Sequence, residues 1–380
     1  MTEDYGLYIH IPFCAQKCHY CDFNSIAADD DLISRYLDAL KKEIKLVADK
    51  YYSPQLQTIY IGGGTPSILS GQDLSTILNQ CRQKFDLNSN LEITMEANPG
   101  TLSEEQLRLT KQAGVNRLSL GVQSFNNQFL TKLGRIHSKD DVITSYRLAR
   151  ELDFDNISFD LMFALPGQSL NQWENTLQQA IELGPEHISA YNLKIEPNTV
   201  FAQWLEEGKI EKISEELDLK MYRRTIELLE ENNYYQYEIS NFSQPGYNSR
   251  HNKIYWQNQE YLALGPGAHF YDGQFRGYNI TDIKDYCHHL EAGQLAIAEQ
   301  NKLSRVEKIE ETLILGLRLN QGISLAEFKK KFNQSLTEIY EIEIQKLVGQ
   351  DLINQSKGRL FLTDHGREIA NQVLSSFILS

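Results

Sequence analysis

One alternation repeats six times in the first 233 residues, and it restricts the fold more than any other feature of the chain. Short apolar, β-branched runs stand at "GLYIHIPF" (6–13), "QTIYIGGG" (57–64), "LEITMEANP" (91–99), "NRLSLGVQS" (116–124), "NISFDLMFALPG" (156–167) and "HISAYNLKIEP" (187–197). Amphipathic stretches of helical length follow them, near 31–50, 72–84, 103–113, 139–152, 170–183 and 215–232. Six strand–helix units in succession predict a parallel sheet. The nearly continuous apolar content of the runs predicts strands covered on both faces. Two α/β shapes satisfy this: an open doubly wound sheet and a curved partial barrel.

The alternation stops near residue 234. "YYQYEISNF" reads as a further strand, "SQPGYNSRHN" as a Gly/Pro/Asn-rich loop, and "YLALGPGAHFYDGQFRGYN" as a hairpin with glycine turns. From 304 the chain reads as helices ("SRVEKIEETLILGLRL", "SLAEFKKKF", "LTEIYEIEIQKLVGQ"), a strand–turn–strand ("LINQSKGRLFLT") and a last helix ("DHGREIANQVLSSF"). The reading is a core domain over 1–233, a connecting region over 234–300 and a winged-helix-like α+β module over 301–380. Such modules often bind DNA, but residues 301–380 hold 11 Lys+Arg against 10 Asp+Glu, and the whole chain carries a net charge of −14. Phosphate neutralisation needs a basic surface, so no nucleic-acid partner is expected. No run of about 18 apolar residues is present to span a bilayer. The acidic start "MTEDYGLY" has no apolar signal region, which points to a cytoplasmic protein.

Three of the five cysteines, Cys14, Cys18 and Cys21, fall within eight positions, on a loop directly after the first strand. A reducing compartment and an odd cysteine count argue for metal rather than disulfide. Structural zinc takes four ligands; His19 could supply the fourth, though it sits awkwardly between two ligating positions. Three thiolates on a four-iron cubane instead leave one iron open to a ligand, which suits chemistry better than electron transfer alone. Cys81 and Cys287 lie in helix-like segments and read as small buried hydrophobes.

Polar groups recur where the strands end. "IGGGTP" closes the second strand; Gly63, Gly64 and Thr65 let backbone approach a ligand and offer free N–H groups. Glu96 ends the third strand, Gln123 the fourth, and Asp160 lies within the fifth. A carboxylate in an apolar strand is costly unless paired. Several at the ends of successive strands are better explained by one shared ligand at a barrel mouth. Arg135, after the fourth strand, could meet a carboxylate in bidentate fashion.

The cysteine spacing resembles the radical S-adenosylmethionine (radical SAM) superfamily. The whole set, "YIHIPFCxxxCxYC" with "GGGTPS", "EANP", "GVQSF", "LGRIH", "FDLMFALPGQ" and "YNLKIEPNT", resembles the oxygen-independent coproporphyrinogen III oxidase family and its HemW haem-chaperone relatives, over essentially the whole chain. The resemblance implies a partial (β/α)6 TIM-like barrel holding a [4Fe–4S] cluster on Cys14, Cys18 and Cys21. It implies SAM held by Tyr8, Tyr20, Gly63, Gly64, Thr65, Glu96, Gln123, Arg135 and Asp160. In the oxidases a fourth cysteine follows the third after one residue; here Phe23 takes that place. Their long N-terminal extension is also missing, since 13 residues precede Cys14. "RHNKIYW" (250–256) matches the haem motif of the chaperones, implying His251 as axial ligand with Asn252, Tyr255 and Trp256 around the porphyrin. The implied function is a haem chaperone serving respiratory-type apo-haemoproteins. The alternative is an oxygen-independent coproporphyrinogen III dehydrogenase. A homodimer and a peripheral membrane contact stay open, although no basic amphipathic stretch marks the latter.

Overall fold

The computed structural model describes residues 4–378, so the first three residues of the acidic start and the last two of the chain lie outside it. Six strands, β1 (Tyr5–Ile11), β2 (Gln55–Gly63), β3 (Asp86–Ala97), β4 (Arg117–Gln123), β5 (Ile157–Phe163) and β6 (His187–Asn192), are all parallel and lie side by side in chain order. Six helices, α1 (Asp30–Lys50), α2 (Gly71–Lys84), α3 (Glu104–Gln112), α4 (Lys139–Glu151), α5 (Leu170–Leu183) and α6 (Glu215–Glu231), run in sequence after them. Each is started by a side-chain cap: Asp29, Ser70, Ser103, Ser138, Ser169 and Ser214 accept the backbone N–H three residues on.

The strands are not apolar on both faces, as their composition suggested. Leu7, Ile9 and Ile11, then Ile59 and Ile61, Leu118, Leu120 and Val122, and Ile157, Phe159 and Leu161 are buried in the main apolar core with the helices. The alternate positions, Tyr8, His10, Thr58, Tyr60, Thr94, Glu96, Arg117, Ser119, Ser158, Asp160, His187 and Ser189, form a polar inner face, because successive strand side chains point to opposite sides. That inner face is what the site is built on.

The sheet continues at both ends. Beyond β6 lie the antiparallel β8 (Asn241–Ser243) and β7 (Tyr235–Glu238); a bend at 239–240 splits what reads in sequence as one strand. On the other side of β1, β9 (Tyr261–Leu264) pairs in parallel, followed by antiparallel β10 (His269–Tyr271), β11 (Phe275–Asn279) and β12 (Ile297–Lys302). Residues 244–260 therefore pass from one end of the parallel array to the other. They carry α7 (Arg250–Trp256), capped by Ser249, where sequence suggested a loop. The helix buries His251 and Ile254 against the inner face of β1: a Cβ on Gly6 would stand 2.9 Å from Ile254 Cδ1. The helix thus lies across the inner side of the partial barrel.

The C-terminal residues have a core of their own, including Leu313, Phe328, Tyr340, Leu360 and Phe377. Helices Arg305–Gly316, Leu325–Phe332 and Glu341–Gly349 accompany a three-stranded sheet ordered Ile323–Ser324, Arg359–Leu362, Ile353–Ser356, a winged-helix-like arrangement. The stretch after 335, expected as one helix, breaks at Tyr340, whose buried ring packs edge-on against Phe377 at 5.4 Å. Asn320 N–H donates to Tyr237 O at 3.0 Å, and Arg276 pairs with Glu311 at 2.8 Å, joining this unit to the sheet. No helix among the described residues is long and apolar enough to cross a membrane.

Candidate functional site

A cavity of about 1160 Å³ opens at the C-terminal ends of the parallel strands. Cys14, Cys18 and Cys21 all line it, as do Tyr20, Gly63, Gly64, Thr65, Glu96, Gln123, Arg135 and Asp160. Convergence of strand ends on one cavity is what parallel barrels provide.

The cysteine loop is held from several sides. Thr65 Oγ1 donates to Cys14 Sγ at 3.5 Å, and Arg135 Nη1 to Cys18 Sγ at 3.5 Å. Asn98, which sequence reading passed over although "EANP" contains it, ties both: its Nδ2 donates to Thr65 Oγ1 at 2.9 Å and its Oδ1 accepts from Arg135. Thr65 N–H donates to Phe13 O at 2.8 Å, and Gly64 lies so close that a Cβ there would stand 2.6 Å from Phe13 O and 3.0 Å from Cys14 Sγ. All five cysteines are free thiols. Among the described residues no three His, Cys, Asp or Glu side chains converge on a single ion. A cluster asks for something different, one iron per thiolate, and the spread of the three cysteines around a loop with donors aimed at two of the sulfurs fits such a group. His19 turns away: its Nδ1 bonds Lys132 O at 3.0 Å and its ring packs on Trp204 at 4.9 Å.

The polar ring is wired before any ligand arrives. Tyr60 hydroxyl donates to Glu96 Oε1 at 2.7 Å and Gly63 N–H to Oε2 at 3.1 Å. Burial pushes the Glu96 carboxyl up to about 7, with the nearby Asp160 charge adding to it. Ser119 Oγ donates to Asp160 Oδ2 at 2.9 Å, and burial raises that carboxyl also. Gln123 ends β4 with φ +62°, a left-handed conformation that a non-glycine residue holds at a cost. Tyr20 is raised by burial, against the opposing field of Arg135. Tyr8, expected among the ligand-binding residues, stands back from the cavity. Its hydroxyl shares a hydrogen bond with His10 Nδ1 at 2.9 Å, and His10 Nε2 bonds Asn24 O at 2.8 Å. In this structure Tyr8 braces the loop that follows β1.

The "RHNKIYW" segment is divided. Asn252, Tyr255 and Trp256 line the cavity. His251 does not; its side chain is buried in this structure. Its Nδ1 bonds Thr58 Oγ1 at 2.7 Å, its Nε2 bonds Tyr255 hydroxyl at 2.8 Å, and its ring stacks on Tyr60 at 5.1 Å. Burial, with the Arg117 charge nearby, lowers the ring to about 3 and keeps it neutral. The helical turn sets this: residues 251 and 255 share a face, so the tyrosine covers the histidine.

Sequence reading did not find the far wall. Tyr222 and Arg223 of α6, Arg318, and His365 and residues 367–372 of the C-terminal module complete the cavity. Arg223 is neutralised by Glu368 at 2.6 Å. Phe23, in the cysteine loop, also lines the cavity and is 63% exposed.

The fold and the cysteine loop define a radical-SAM-type partial barrel with an appended C-terminal module. The Radical SAM superfamily pattern matches residues 8–180, and that of the HemN C-terminal domain matches residues 303–369. The structure superposes on the solved structure of coproporphyrinogen III oxidase (HemN) from Escherichia coli, a radical SAM enzyme, with a TM-score of 0.86 at 24% identity, covering 99% of this chain and 90% of that one. At that identity the likeness speaks for the fold. The chain is 40% identical over 372 residues to the heme chaperone HemW of Bacillus subtilis (strain 168), covering 98% of each. It is 34% identical over 384 residues to the heme chaperone HemW of Escherichia coli (strain K12), again covering 98% of each. The chain belongs to the HemW heme chaperone family.

Proposed function

We propose that this protein is a haem chaperone: it binds haem and passes it to apo-haemoproteins of respiratory type, on a scaffold that also holds a [4Fe–4S] cluster and SAM. One observation carries the reading. Helix α7 sets Asn252, Tyr255 and Trp256 into the wall of the same cavity that the three cysteines line. Cys14, Cys18 and Cys21 would hold the cluster, which would supply an electron for chemistry on bound SAM. Glu96, fixed by Tyr60 and Gly63, would accept from the SAM amine; Arg135, fixed by Asn98 and Gly121 O (2.8 Å), would meet its carboxylate. Asp160 suits ribose hydroxyls and Tyr20 the adenine; Gln123, Gly64 and Thr65 shape the remaining surface. His251 as iron ligand requires the Tyr255 hydroxyl to leave Nε2. The ring is already neutral, as a metal ligand must be.

The second reading is coproporphyrinogen III dehydrogenase, favoured by the likeness to HemN in fold and by the complete polar ring. Phe23 in place of the fourth cysteine weighs against it. Anaerobically reconstituted protein offered haem and coproporphyrinogen III separately decides between them. The chaperone reading expects stoichiometric haem uptake, transfer to an apo-haemoprotein and no porphyrinogen consumption. Porphyrinogen turnover without haem uptake overturns it.

A further inference from the structure

Among the described residues five arginines line the cavity: Arg117, Arg135, Arg223, Arg318 and Arg367. Arg135 is engaged by Asn98 and Gly121, Arg223 by Glu368, and Arg367 by Asp364 and Leu362 O. Among the described residues the side chains of Arg117 and Arg318 have no hydrogen-bond or ion-pair partner, and the Nε of each is buried. Their surroundings differ. Arg117 sits on the inner face of β4, where its charge acts on two carboxylates, Glu96 and Asp160. An arriving anion would meet both. Arg318 acts on one carboxylate, Glu238, which already accepts from Ser240 N–H at 3.1 Å and from Asn241 Nδ2.

The Arg318 guanidinium lies 4.7 Å from the centroid of the Trp256 ring. This contact fixes the planar fork without using its N–H groups. The indole Nε1 of Trp256 is also buried and without a partner. Both groups are donors only. Two buried, unsatisfied donors on stacked residues that both line the cavity call for an acceptor that no described residue supplies. The group that satisfies both is a carboxylate, bound to a guanidinium by charge-assisted hydrogen bonds.

We infer that Arg318 and Trp256 Nε1 form a carboxylate subsite that takes a propionate of the bound tetrapyrrole, so that the C-terminal module helps select the cargo. This rests on the haem-carrier reading and adds to it a recognition of the porphyrin's carboxylates, independent of its iron. SAM also carries a carboxylate, so the test must tell the two sources apart.

Haem, metal-free protoporphyrin IX and haem dimethyl ester are titrated into the reconstituted protein, following Soret absorbance or tryptophan quenching. The proteins are wild type, Arg318→Gln, Arg318→Lys and Trp256→Phe. Arg318→Gln should weaken haem and protoporphyrin IX by about tenfold or more. Arg318→Lys should recover part of the loss, and Trp256→Phe should lose less than Arg318→Gln. The ester should bind wild type and Arg318→Gln alike, and SAM retention should not change. Wild-type uptake of haem that is indifferent to both Arg318→Gln and esterification overturns the subsite and leaves the carrier reading standing. Loss of SAM in place of haem reassigns the carboxylate and overturns it too. A wild type that takes up no haem overturns the carrier reading and this subsite together.

Discussion

The two ends of the cavity are prepared to different degrees. At the strand ends three assigned polar groups have found partners: Glu96 has Tyr60 and Gly63, Asp160 has Ser119, and Arg135 has Asn98 and Gly121. At the α7 end the reverse holds. Trp256 Nε1 and Arg318 Nε lack acceptors, and His251 is closed in by Tyr255 and Thr58. The first end is preorganised, which lowers the cost of fixing a small polar ligand. The second must change to expose an imidazole and awaits an anion. A resident cofactor suits the first; a cargo that is taken up and released suits the second.

The sharpest way to break this comparison is at the cysteines. Replacing Cys14, Cys18 and Cys21 together by serine should abolish the charge-transfer absorbance and iron content after reconstitution. Haem uptake, if the two ends are separable, should persist. Gly64→Ala comes next. Its Cβ would press on Phe13 O and Cys14 Sγ, so cluster retention should fall severely while the far wall keeps its haem. Persistence of a full cluster in this variant would mean that the loop is looser than its packing implies.

A subtler effect concerns pH. Glu43, on α1, is 1% exposed and accepts from Gly265 N–H (2.7 Å), Asn279 Nδ2 (2.7 Å) and Tyr286 hydroxyl (2.6 Å). Burial raises it to about 7 even so. The folded state therefore binds this proton more tightly than the unfolded chain. The stability it confers is full below about 4.5 and is lost as pH rises toward 7. Melting temperature followed from pH 5 to 8 should decline less in Glu43→Gln than in wild type; equal slopes would remove Glu43 as the cause. The smallest expected effect is at a cap. Ser138 and Asp141 form a reciprocal box at the start of α4, and Ser138→Ala should cost about 1 kcal/mol in denaturant unfolding with neither end of the cavity altered.

The sequence exposed the fold's repeating units well, because strand and helix periods are local signals: the six expected helices lie within a residue or two of α1–α6. The polar inner face escaped, because Thr58, Thr94, Ser119 and Ser158 are compatible with strands and interrupt the apolar runs only at alternate positions. The site's cysteines and polar strand ends were legible through spacing and position. Asn98 is two residues past Glu96 and could have been found by asking what holds Arg135. Helix α7 was hidden by the Gly/Pro/Asn-rich residues before its Ser249 cap. That His251 is covered by Tyr255 follows only from the helix. Arg318 reaches Trp256 across 62 positions of chain through the C-terminal module, a contact no local pattern carries.

The central claim is that α7 forms a haem wall which opens at the His251–Tyr255 bond. Its most direct measurement is a Soret titration of reconstituted protein as wild type, His251→Ala and Tyr255→Phe. The account predicts that His251→Ala loses stoichiometric binding, while Tyr255→Phe, freed of the hydroxyl that occupies Nε2, binds as tightly as wild type or more so. Undiminished binding by His251→Ala, with loss in Tyr255→Phe, would contradict it and make the tyrosine the group that meets haem.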